Sequence, residues 1–274
     1  MGLLIVDESK CKRDGICAQV CPSQIIVLKG DKGFPEIPAK FEAGCIQCGH
    51  CVAVCPHGAL SHGELPSAAC PPIDPALAPS EAQAEQFLRS RRSIRVFRDQ
   101  VVEKEKIERL IEIARYAPTA GNSQRVRWRV VTDREIIAQA ADLTVAYLRQ
   151  VIDTRPKNSY PAYYPAIVAG HRAGRDPIMR RAPVLLVASN PPMASNGMVD
   201  IAVALANLEL MASVLGRGTC WAGVVGTALM NAPRLKSLLA LPEDHAHFYS
   251  MLLGYPRHRY QRLPERRPPV IDWR

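Results

Sequence analysis

The fold of the first part of this chain is decided by the segment Cys45-Ile-Gln-Cys48-Gly49-His-Cys51-Val-Ala-Val-Cys55-Pro56. Four cysteines spaced by two, two and three residues and followed by proline are the pattern with which bacterial proteins ligate an iron–sulfur cluster. Zinc sites usually pair two Cys-x2-Cys units instead. The total of nine cysteines is odd, which argues against a disulfide framework. The segment therefore predicts iron–sulfur ligation.

An earlier segment repeats this pattern with one substitution. Cys11-Lys-Arg-Asp14-Gly-Ile-Cys17-Ala-Gln-Val-Cys21-Pro22 aligns with residues 45–56, and Asp14 stands opposite Cys48. Two copies separated by a fixed offset form an internal repeat. The pair resembles the two-cluster bacterial ferredoxins over about residues 1–65. That resemblance implies a small pseudo-symmetric α+β domain with two hairpins.

The ferredoxin resemblance also implies which side chains bind each cluster, because the fourth cysteine of each run crosses to the other cluster in that family. Cluster one would take Cys11, Cys17 and Cys55, with Asp14 at the remaining position, and cluster two would take Cys45, Cys48, Cys51 and Cys21. We expect cluster two to be [4Fe-4S]. Since a carboxylate is a harder ligand than a thiolate, cluster one is expected to be an aspartate-ligated [4Fe-4S] cluster, a [3Fe-4S] cluster, or one with a water ligand. Asp14 could also simply fill its loop, and Cys70 is expected to be a linker thiol.

The composition changes after the repeat. Residues 66–80 contain five prolines and four alanines, which predicts a semi-rigid linker. Residues 81–274 then form a second domain of mixed α and β structure. The apolar patterns predict helices at 81–91, 101–116 and 199–215, strands at 126–132, 183–189 and 247–253, and, in the first domain, a strand at 25–28 with a turn at 29–33.

Charge and hydropathy exclude some classes of protein. The net charge is +9, but aromatic residues are only 6% of the chain, which disfavours nucleic-acid binding. No stretch reaches the roughly 18 uninterrupted apolar residues of a membrane span; the longest candidate, 201–216, is broken by Asn207 and Glu209. The N-terminus has no signal-peptide pattern. We expect a cytoplasmic protein that binds neither membrane nor nucleic acid.

Four short segments of the second domain carry chemical information. They are Arg91-Arg92-Ser93-Ile94-Arg95-Val96-Phe97, Ala117-Pro118-Thr119-Ala120-Gly121-Asn122-Ser123-Gln124, Gly218-Thr219-Cys220-Trp221-Ala222-Gly223, and Leu253-Gly254-Tyr255-Pro256 with its basic tail. Each alone is compatible with a solvated face, a helix exit, a turn or a strand exit. Together, in this order, they resemble the nitroreductase-like flavoprotein family over about 190 residues. The expected fold class is therefore α+β: a ferredoxin-like domain followed by a nitroreductase-like FMN-binding domain.

The nitroreductase resemblance implies a dimer built through long helices, with FMN at the subunit interface and the apolar helix 199–215 in that interface; the alternative is that this helix belongs to a monomer core. No side chain is expected to be catalytic, because the chemistry occurs at FMN N5. The implied FMN-binding residues are Arg91, Arg92, Ser93, Arg95 and Arg267 at the phosphate and ribityl chain, Gly223 beside the ring, and Pro118, Thr119, Ala120, Asn122 and Gln124 from the partner chain. Cys220 is expected to be a packing residue.

Three features depart from the family pattern. Arg125-Val126 stands where relatives have Pro-Trp, and Glu265 stands where they often have Lys. Residues 145–182 are where we expect a variable lid, whose tyrosines either stack on substrate or pack. These departures leave the substrate open.

The sequence thus predicts an FMN-dependent oxidoreductase. Its iron–sulfur clusters would pass electrons to or from FMN for the reduction of a small organic acceptor, with NAD(P)H or a ferredoxin-type protein as donor. One alternative is a non-catalytic relay between a ferredoxin-type donor and a partner protein. A second, suggested by the basic charge alone, is a nucleic-acid-binding protein with structural clusters.

The aspartate in the first run predicts different stabilities for the two clusters. On exposure to air, cluster one should lose iron more readily than cluster two, because a carboxylate or an open corner holds iron less well than a fourth thiolate. EPR spectra recorded during the exposure measure both clusters. Equal loss of iron from the two would contradict the prediction.

Overall fold

The computed structural model describes residues 2–30 and 33–274. The chain divides into two compact units, which are described separately. The first contains residues up to 79 together with 121–123, and the second contains 80–120 and 124–274. The sequence repeat lies entirely in the first unit.

In the described part of the first unit, two small antiparallel sheets are joined by two short α-helices and a 3-10 helix, Ala39–Gly44. Its elements are β1 (Leu4–Val6), α1 (Ile16–Gln19), β2 (Val27–Leu28), β3 (Pro35–Glu36), α2 (His50–Val54) and β4 (Leu60–His62). β1 pairs with β4 and β2 pairs with β3. The predicted strand at 25–28 is confirmed at β2, whereas Asp31 and Lys32 of the predicted turn lie outside the described residues.

The repeat is visible in the backbone. Gly15 precedes α1 with φ 73°, and Gly49 precedes α2 with φ 72°. Side chains other than glycine rarely adopt this left-handed conformation, so the matching glycines start the two helices in the same way. Among the described residues, the apolar core of this unit centres on Cys17, Ile26 and Leu60, with half-buried apolar side chains packed around them. A domain with so small a core is marginal without cross-links or metal.

Residues 66–80, the predicted linker, are all exposed. They form two short 3-10 turns, Ser67–Ala69 and Pro75–Leu77. Helix α3 (Glu81–Ser90) follows, and Ser80 caps it by accepting a hydrogen bond from the Gln83 N–H. The Gln83 side chain in turn accepts from the Ser80 N–H, which completes a capping box.

The second unit is a four-stranded antiparallel sheet with helices on both faces. Its strands are β5 (Arg127–Val131), β6 (Val184–Asn190), β7 (Gly218–Trp221) and β8 (His247–Gly254), in the order β5-β6-β8-β7. The remaining helices are α4 (Lys104–Ala114), α5 (Arg134–Thr154), α6 (Tyr164–Arg172), α7 (Gly197–Val214), α8 (Gly223–Asn231) and α9 (Pro233–Leu238). The three predicted strands and the predicted helices are confirmed. β7, by contrast, is a strand where the sequence suggested only a glycine-rich turn.

Alternate residues of β6 point into two separate apolar cores. Val184 and Leu186 pack with α4 and α7, whereas Leu185 and Val187 pack with α5, α6 and α8. Every residue of β6 is buried, because both faces of the sheet are covered by helices. This layered arrangement of helix, sheet and helix is the α+β domain that we expected.

Helix α7 is apolar on nearly every side. Ile201, Leu205 and Leu208 are fully buried against the sheet and α4, whereas Val199 and Val214 remain exposed. Among the described residues, α7 alone is long and apolar enough to cross a membrane by length and composition. Core helices of proteins that do not span a membrane pass the same test, and one side of α7 packs against the sheet and α4.

The predicted lid at 145–182 is largely helical. Tyr147 and Tyr164 are buried in the core on the α5 side of the sheet, and Tyr160 stacks on Tyr164 with ring centroids 6.0 Å apart. Tyr163 is 55% exposed. The sequence left open whether these tyrosines stack on substrate or pack in the core, and Tyr147 and Tyr164 pack in the core.

Gly254, at the end of β8, gives a test of this packing. A Cβ atom on Gly254 would lie 2.7 Å from both Phe97 Cδ1 and Pro183 Cδ. We expect Gly254→Ala to lower the free energy of unfolding by about 1–3 kcal/mol, since overpacking strains a dense core. Gly226→Ala is the control, because its Cβ would make ordinary contact with Tyr249 at 3.5 Å. Denaturant unfolding that gives equal stabilities for the two variants would contradict this account.

Candidate cluster and cofactor sites

Cysteines line two small cavities in the described part of the first unit. The first is lined by Cys11, Asp14, Cys17, Cys55 and His57 among others, and the second by Cys21, Cys45, Cys48, Cys51, His50 and His62 among others. Each cavity therefore combines three residues of one run with the last cysteine of the other. This is the crossed arrangement that the ferredoxin resemblance implies.

Asp14 lies at the first cavity, in the turn that leads into α1. Its Oδ1 accepts a hydrogen bond from the Ile16 N–H at 3.2 Å, and its Oδ2 lies 3.4 Å from His57 Nε2. The carboxylate thus stabilises the start of the helix and also faces an imidazole. Its location is compatible both with iron ligation and with a purely structural role.

The donor set suits clusters better than a single metal ion. Among the described residues, no three His, Cys, Asp or Glu side chains converge on one ion position. In a cluster each thiolate binds a different iron, so the sulfurs need not converge on one point. Burial raises the pKa of the Cys17 and Cys51 thiols. Cluster binding at these cysteines would release their protons.

In the second unit, Arg91 is held by a buried carboxylate. Arg91 Nη1 donates to Glu209 Oε1 at 3.0 Å. Glu209 is only 5% exposed and also accepts from Trp221 Nε1 at 2.8 Å and from Thr219 Oγ1 at 3.2 Å. A buried carboxylate is stable only when its oxygens are paired in this way. Glu209 therefore joins the arginine segment to α7 and β7.

The Leu-Gly-Tyr-Pro segment fixes the arginine segment through the main chain. The Arg98 N–H donates to Tyr255 O at 2.8 Å, and the Arg257 N–H donates to Val96 O at 3.0 Å. On the side facing β7, the Ile94 N–H donates to Thr219 O at 2.7 Å. Two segments that are about 160 residues apart in sequence thus form one local structure.

Tyr255 also attaches this segment to α4. Its hydroxyl donates to Glu103 Oε2 at 2.6 Å and accepts from Arg217 Nη2 at 2.8 Å. The hydrogen bond from Lys106, and to a smaller extent the one from Tyr255, lowers the pKa of Glu103 to about 2. The carboxylate is therefore ionised at neutral pH, and the tyrosine of the motif has a structural role.

Arg91 and Arg92 line a cavity of about 580 Å³. Three further arginines line it, namely Arg217, Arg259 and Arg262. Among its lining residues the only carboxylate is Glu209, which is already paired with Arg91. Guanidinium groups bind phosphate through paired hydrogen bonds. The cavity therefore suits a ligand that carries a phosphate group.

The other basic residues predicted for this site lie elsewhere. Arg95 lines a separate cavity of about 540 Å³, together with Arg180, Arg257 and other arginines. Ser93 is half-buried, and Arg267 lies in the exposed tail that runs from residue 257 to residue 274. The structure thus brings Arg91 and Arg92 together but places Arg95 and Arg267 apart from them.

The 118–124 loop is attached at its start to α7. The Ala120 N–H donates to Asp200 Oδ1 at 3.0 Å, and Asp200 is 2% exposed. Within the loop, the Gln124 N–H donates to Thr119 Oγ1 at 3.0 Å, and Pro118 is exposed. Asn122, which belongs to the first unit, donates to Ile46 O and Gln47 O at 2.9 and 3.0 Å.

Sequence reasoning missed both buried acids of α7. Asp200 and Glu209 are nine positions apart, which is about 13.5 Å along a helix axis. From the sequence, Glu209 was considered only as a residue that interrupts the apolar stretch 201–216. An acidic residue in an apolar helix is itself informative, however, because a buried carboxylate almost always has a partner.

Gly223 begins α8 beside Tyr249, a half-buried tyrosine of β8. A Cβ atom on Gly223 would lie 3.0 Å from Tyr249 Oη. Burial raises the pKa of Tyr249, so its hydroxyl remains a donor at neutral pH. The first N–H groups of α8 have no partner within the helix. The hydroxyl of Tyr249, a residue that the sequence analysis did not identify, thus lies next to the free N–H groups at the start of α8.

Cys220 precedes this position in β7 and is buried. Burial raises the pKa of its thiol. A thiol that holds its proton is a poor nucleophile, which agrees with the expected packing role.

Comparisons with known proteins identify both domains. Residues 88–255 match the model of the nitroreductase family, and residues 9–60 match the model of the 4Fe-4S dicluster domain. A protein of Archaeoglobus fulgidus, named provisionally as an NADH dehydrogenase/NAD(P)H nitroreductase, is 28% identical over 63% of this chain and 84% of its own.

Solved structures show the same fold. A nitroreductase with bound FMN from Desulfitobacterium hafniense has a TM-score of 0.55 at 23% identity, covering 69% of this chain and 97% of its own. A nitroreductase with bound FMN from Bacteroides fragilis has a TM-score of 0.53 at 19% identity, covering 71% of this chain and 100% of its own.

The family model spans more than half of the chain, and the chain belongs to the nitroreductase family. It carries a 4Fe-4S dicluster domain at its N-terminal end. The α+β fold class and both expected resemblances are confirmed.

The buried carboxylate Glu209 should contribute measurably to stability. We expect Glu209→Gln to lower the free energy of unfolding by about 1–3 kcal/mol, because hydrogen bonds to a charged acceptor are stronger than those to a neutral amide. Glu112→Gln is the matched control: Glu112 forms a surface pair with Arg115, and such pairs contribute little. Denaturant unfolding measures both variants, and a loss no larger for Glu209 than for Glu112 would refute the assignment.

Proposed function

We propose that the chain is an FMN-dependent oxidoreductase of the nitroreductase type, whose iron–sulfur clusters pass electrons to or from FMN for the reduction of a small organic acceptor. The observation that carries this proposal is the cavity where Arg91 and Arg92 meet three further arginines, with one carboxylate that is already paired. It offers the phosphate-binding group that FMN requires. Two related structures with bound FMN support the choice of cofactor.

The residues of this chain fit FMN in two places. Arg91 and Arg92 would hold its phosphate, with Ser93 beside them, and the N-terminal end of α8 at Gly223 would face its ring. The Tyr249 hydroxyl, next to Gly223, is a further donor for the ring or a substrate. Bound FMN supplies hydride or single-electron transfer at N5. For Arg95, Arg267 and the loop residues Pro118, Thr119, Ala120, Asn122 and Gln124, a role in FMN binding rests on the family resemblance.

The clusters would connect this flavin to one-electron donors. We propose a [4Fe-4S] cluster on Cys21, Cys45, Cys48 and Cys51, and a [4Fe-4S] or [3Fe-4S] cluster on Cys11, Cys17, Cys55 and Asp14. The linker raises the effective concentration of the clusters near the flavin domain. NAD(P)H or a ferredoxin-type protein would be the donor. The name of the archaeal relative favours NAD(P)H.

We further propose a cytoplasmic homodimer. The outward side of α7, with Val199 and Val214 59% and 64% exposed, is an apolar surface of the kind that dimer interfaces bury. The partner chain would then contribute its 118–124 loop. Neither a membrane nor a nucleic acid is part of this proposal.

The proposal is tested by an anaerobic visible spectrum of the purified chain during titration with NADH. We expect a flavin band on a broad iron–sulfur absorption, with both bleached by NADH and a small nitroaromatic acceptor reduced in turnover.

Arg92→Ala should weaken FMN binding about tenfold to a hundredfold, since a charged hydrogen bond to phosphate contributes about 1.5–3 kcal/mol. Arg89→Ala is the control, because Arg89 pairs with the surface carboxylates of Glu85 and Glu265.

The results of the NADH titration, of the turnover assay and of the FMN-binding measurements lead to different conclusions. Chromophores that stay oxidised with NADH but are reduced by a ferredoxin-type protein exclude NADH as the donor. Reduction without turnover of any small acceptor would favour the relay. Failure to bind added FMN, or equal affinities in the two arginine variants, would overturn the cofactor assignment.

A further inference from the structure

His62 lies against one of the cysteines of the second cavity. It ends β4 and is only 2% exposed. Its Nε2 atom is 3.5 Å from Cys45 Sγ, within the range of a hydrogen bond to sulfur. It lines the same cavity as Cys21, Cys48 and Cys51.

The other ring nitrogen of His62 determines where the proton lies. The Glu64 N–H donates to Nδ1 at 3.1 Å, so Nδ1 acts as an acceptor. A neutral imidazole has one donor nitrogen and one acceptor nitrogen. The ring proton is therefore on Nε2, and it points at the sulfur of Cys45.

The first copy of the repeat lacks this donor. The offset that aligns Cys11 with Cys45 aligns Leu28 with His62, and Leu28 ends β2 as His62 ends β4. A leucine has no hydrogen to donate to sulfur. The two cavities thus differ at a second position, in addition to the difference between Asp14 and Cys48.

We propose that His62 tunes cluster two by donating an N–H···S hydrogen bond to Cys45. Reduction adds negative charge to the cluster and its thiolates, and a donor aimed at a ligand sulfur stabilises that charge. The hydrogen bond therefore raises the reduction potential of cluster two and makes it the better electron acceptor. This inference rests on the proposed binding of that cluster by Cys45.

Two substitutions at His62 and one control separate the hydrogen bond from other effects. His62→Leu installs the residue that the first copy already has at this position. His62→Gln keeps an N–H near the place of Nε2. His50→Leu is the control, since His50 lines the same cavity but is exposed and makes no hydrogen bond to a cysteine in the described chain.

The measurement is a potentiometric titration of the full-length protein, followed by EPR. The signal that changes in Asp14→Cys identifies cluster one, and the other signal is cluster two. We expect His62→Leu to move the midpoint potential of cluster two to more negative values and to leave cluster one unchanged. In His62→Gln the midpoint potential of cluster two should lie close to the wild-type value, because an N–H donor is kept. In His50→Leu the potentials of both clusters should equal those of the wild type.

An unmoved potential in His62→Leu, or an equal shift in His50→Leu, would overturn the inference. If His62→Leu loses iron, a second measurement takes the place of the potential titration: pulsed EPR of the His50→Leu protein labelled with ¹⁵N-histidine, in which His50 contributes no nitrogen signal. Absence of nitrogen coupling to cluster two would then overturn the inference. Iron and sulfide content distinguishes this result from failure of the proposed function. A wild-type chain without a second cluster refutes that function, whereas two intact clusters with unmoved potentials refute the role of His62 alone.

Discussion

The second domain depends on one buried carboxylate. Glu209 lies inside an otherwise apolar helix and accepts hydrogen bonds from Arg91, Thr219 and Trp221. Without these donors its charge could not stay in the core. The pairing ties the arginine segment to β7 and leaves Arg92 beside it at the basic cavity. The helix that builds the core thus also positions the predicted phosphate site.

The first domain shows how a repeat becomes asymmetric. Both halves begin their helix after a left-handed glycine, but their cavities differ in polar groups. One contains Asp14 facing His57, and the other contains His62 facing Cys45. Hydrogen bonds and ligand type set cluster potentials. A single scaffold can therefore hold two clusters with different redox properties.

Much of the fold could be predicted because its signals are local. Cysteine spacing predicted the cluster domain, and apolar periodicity predicted α7 and the strands β5, β6 and β8 of the sheet. Strand β7 was missed because its short Gly218–Trp221 run lacks an alternating pattern, and it is stabilised by pairing with β8. The role of Tyr255 was missed for a similar reason, since its partners Glu103 and Arg217 are distant in sequence.

The sequence by itself determined the family, both domains and the residue types available at each site, because spacing and composition are properties of the chain alone. Only the tertiary structure decided which groups meet. It separated Arg95 from Arg91, paired Glu209 with the arginine segment, and directed His62 at a cysteine sulfur. These contacts join residues that are distant in sequence, so the burial and geometry that select them exist only after the chain has folded.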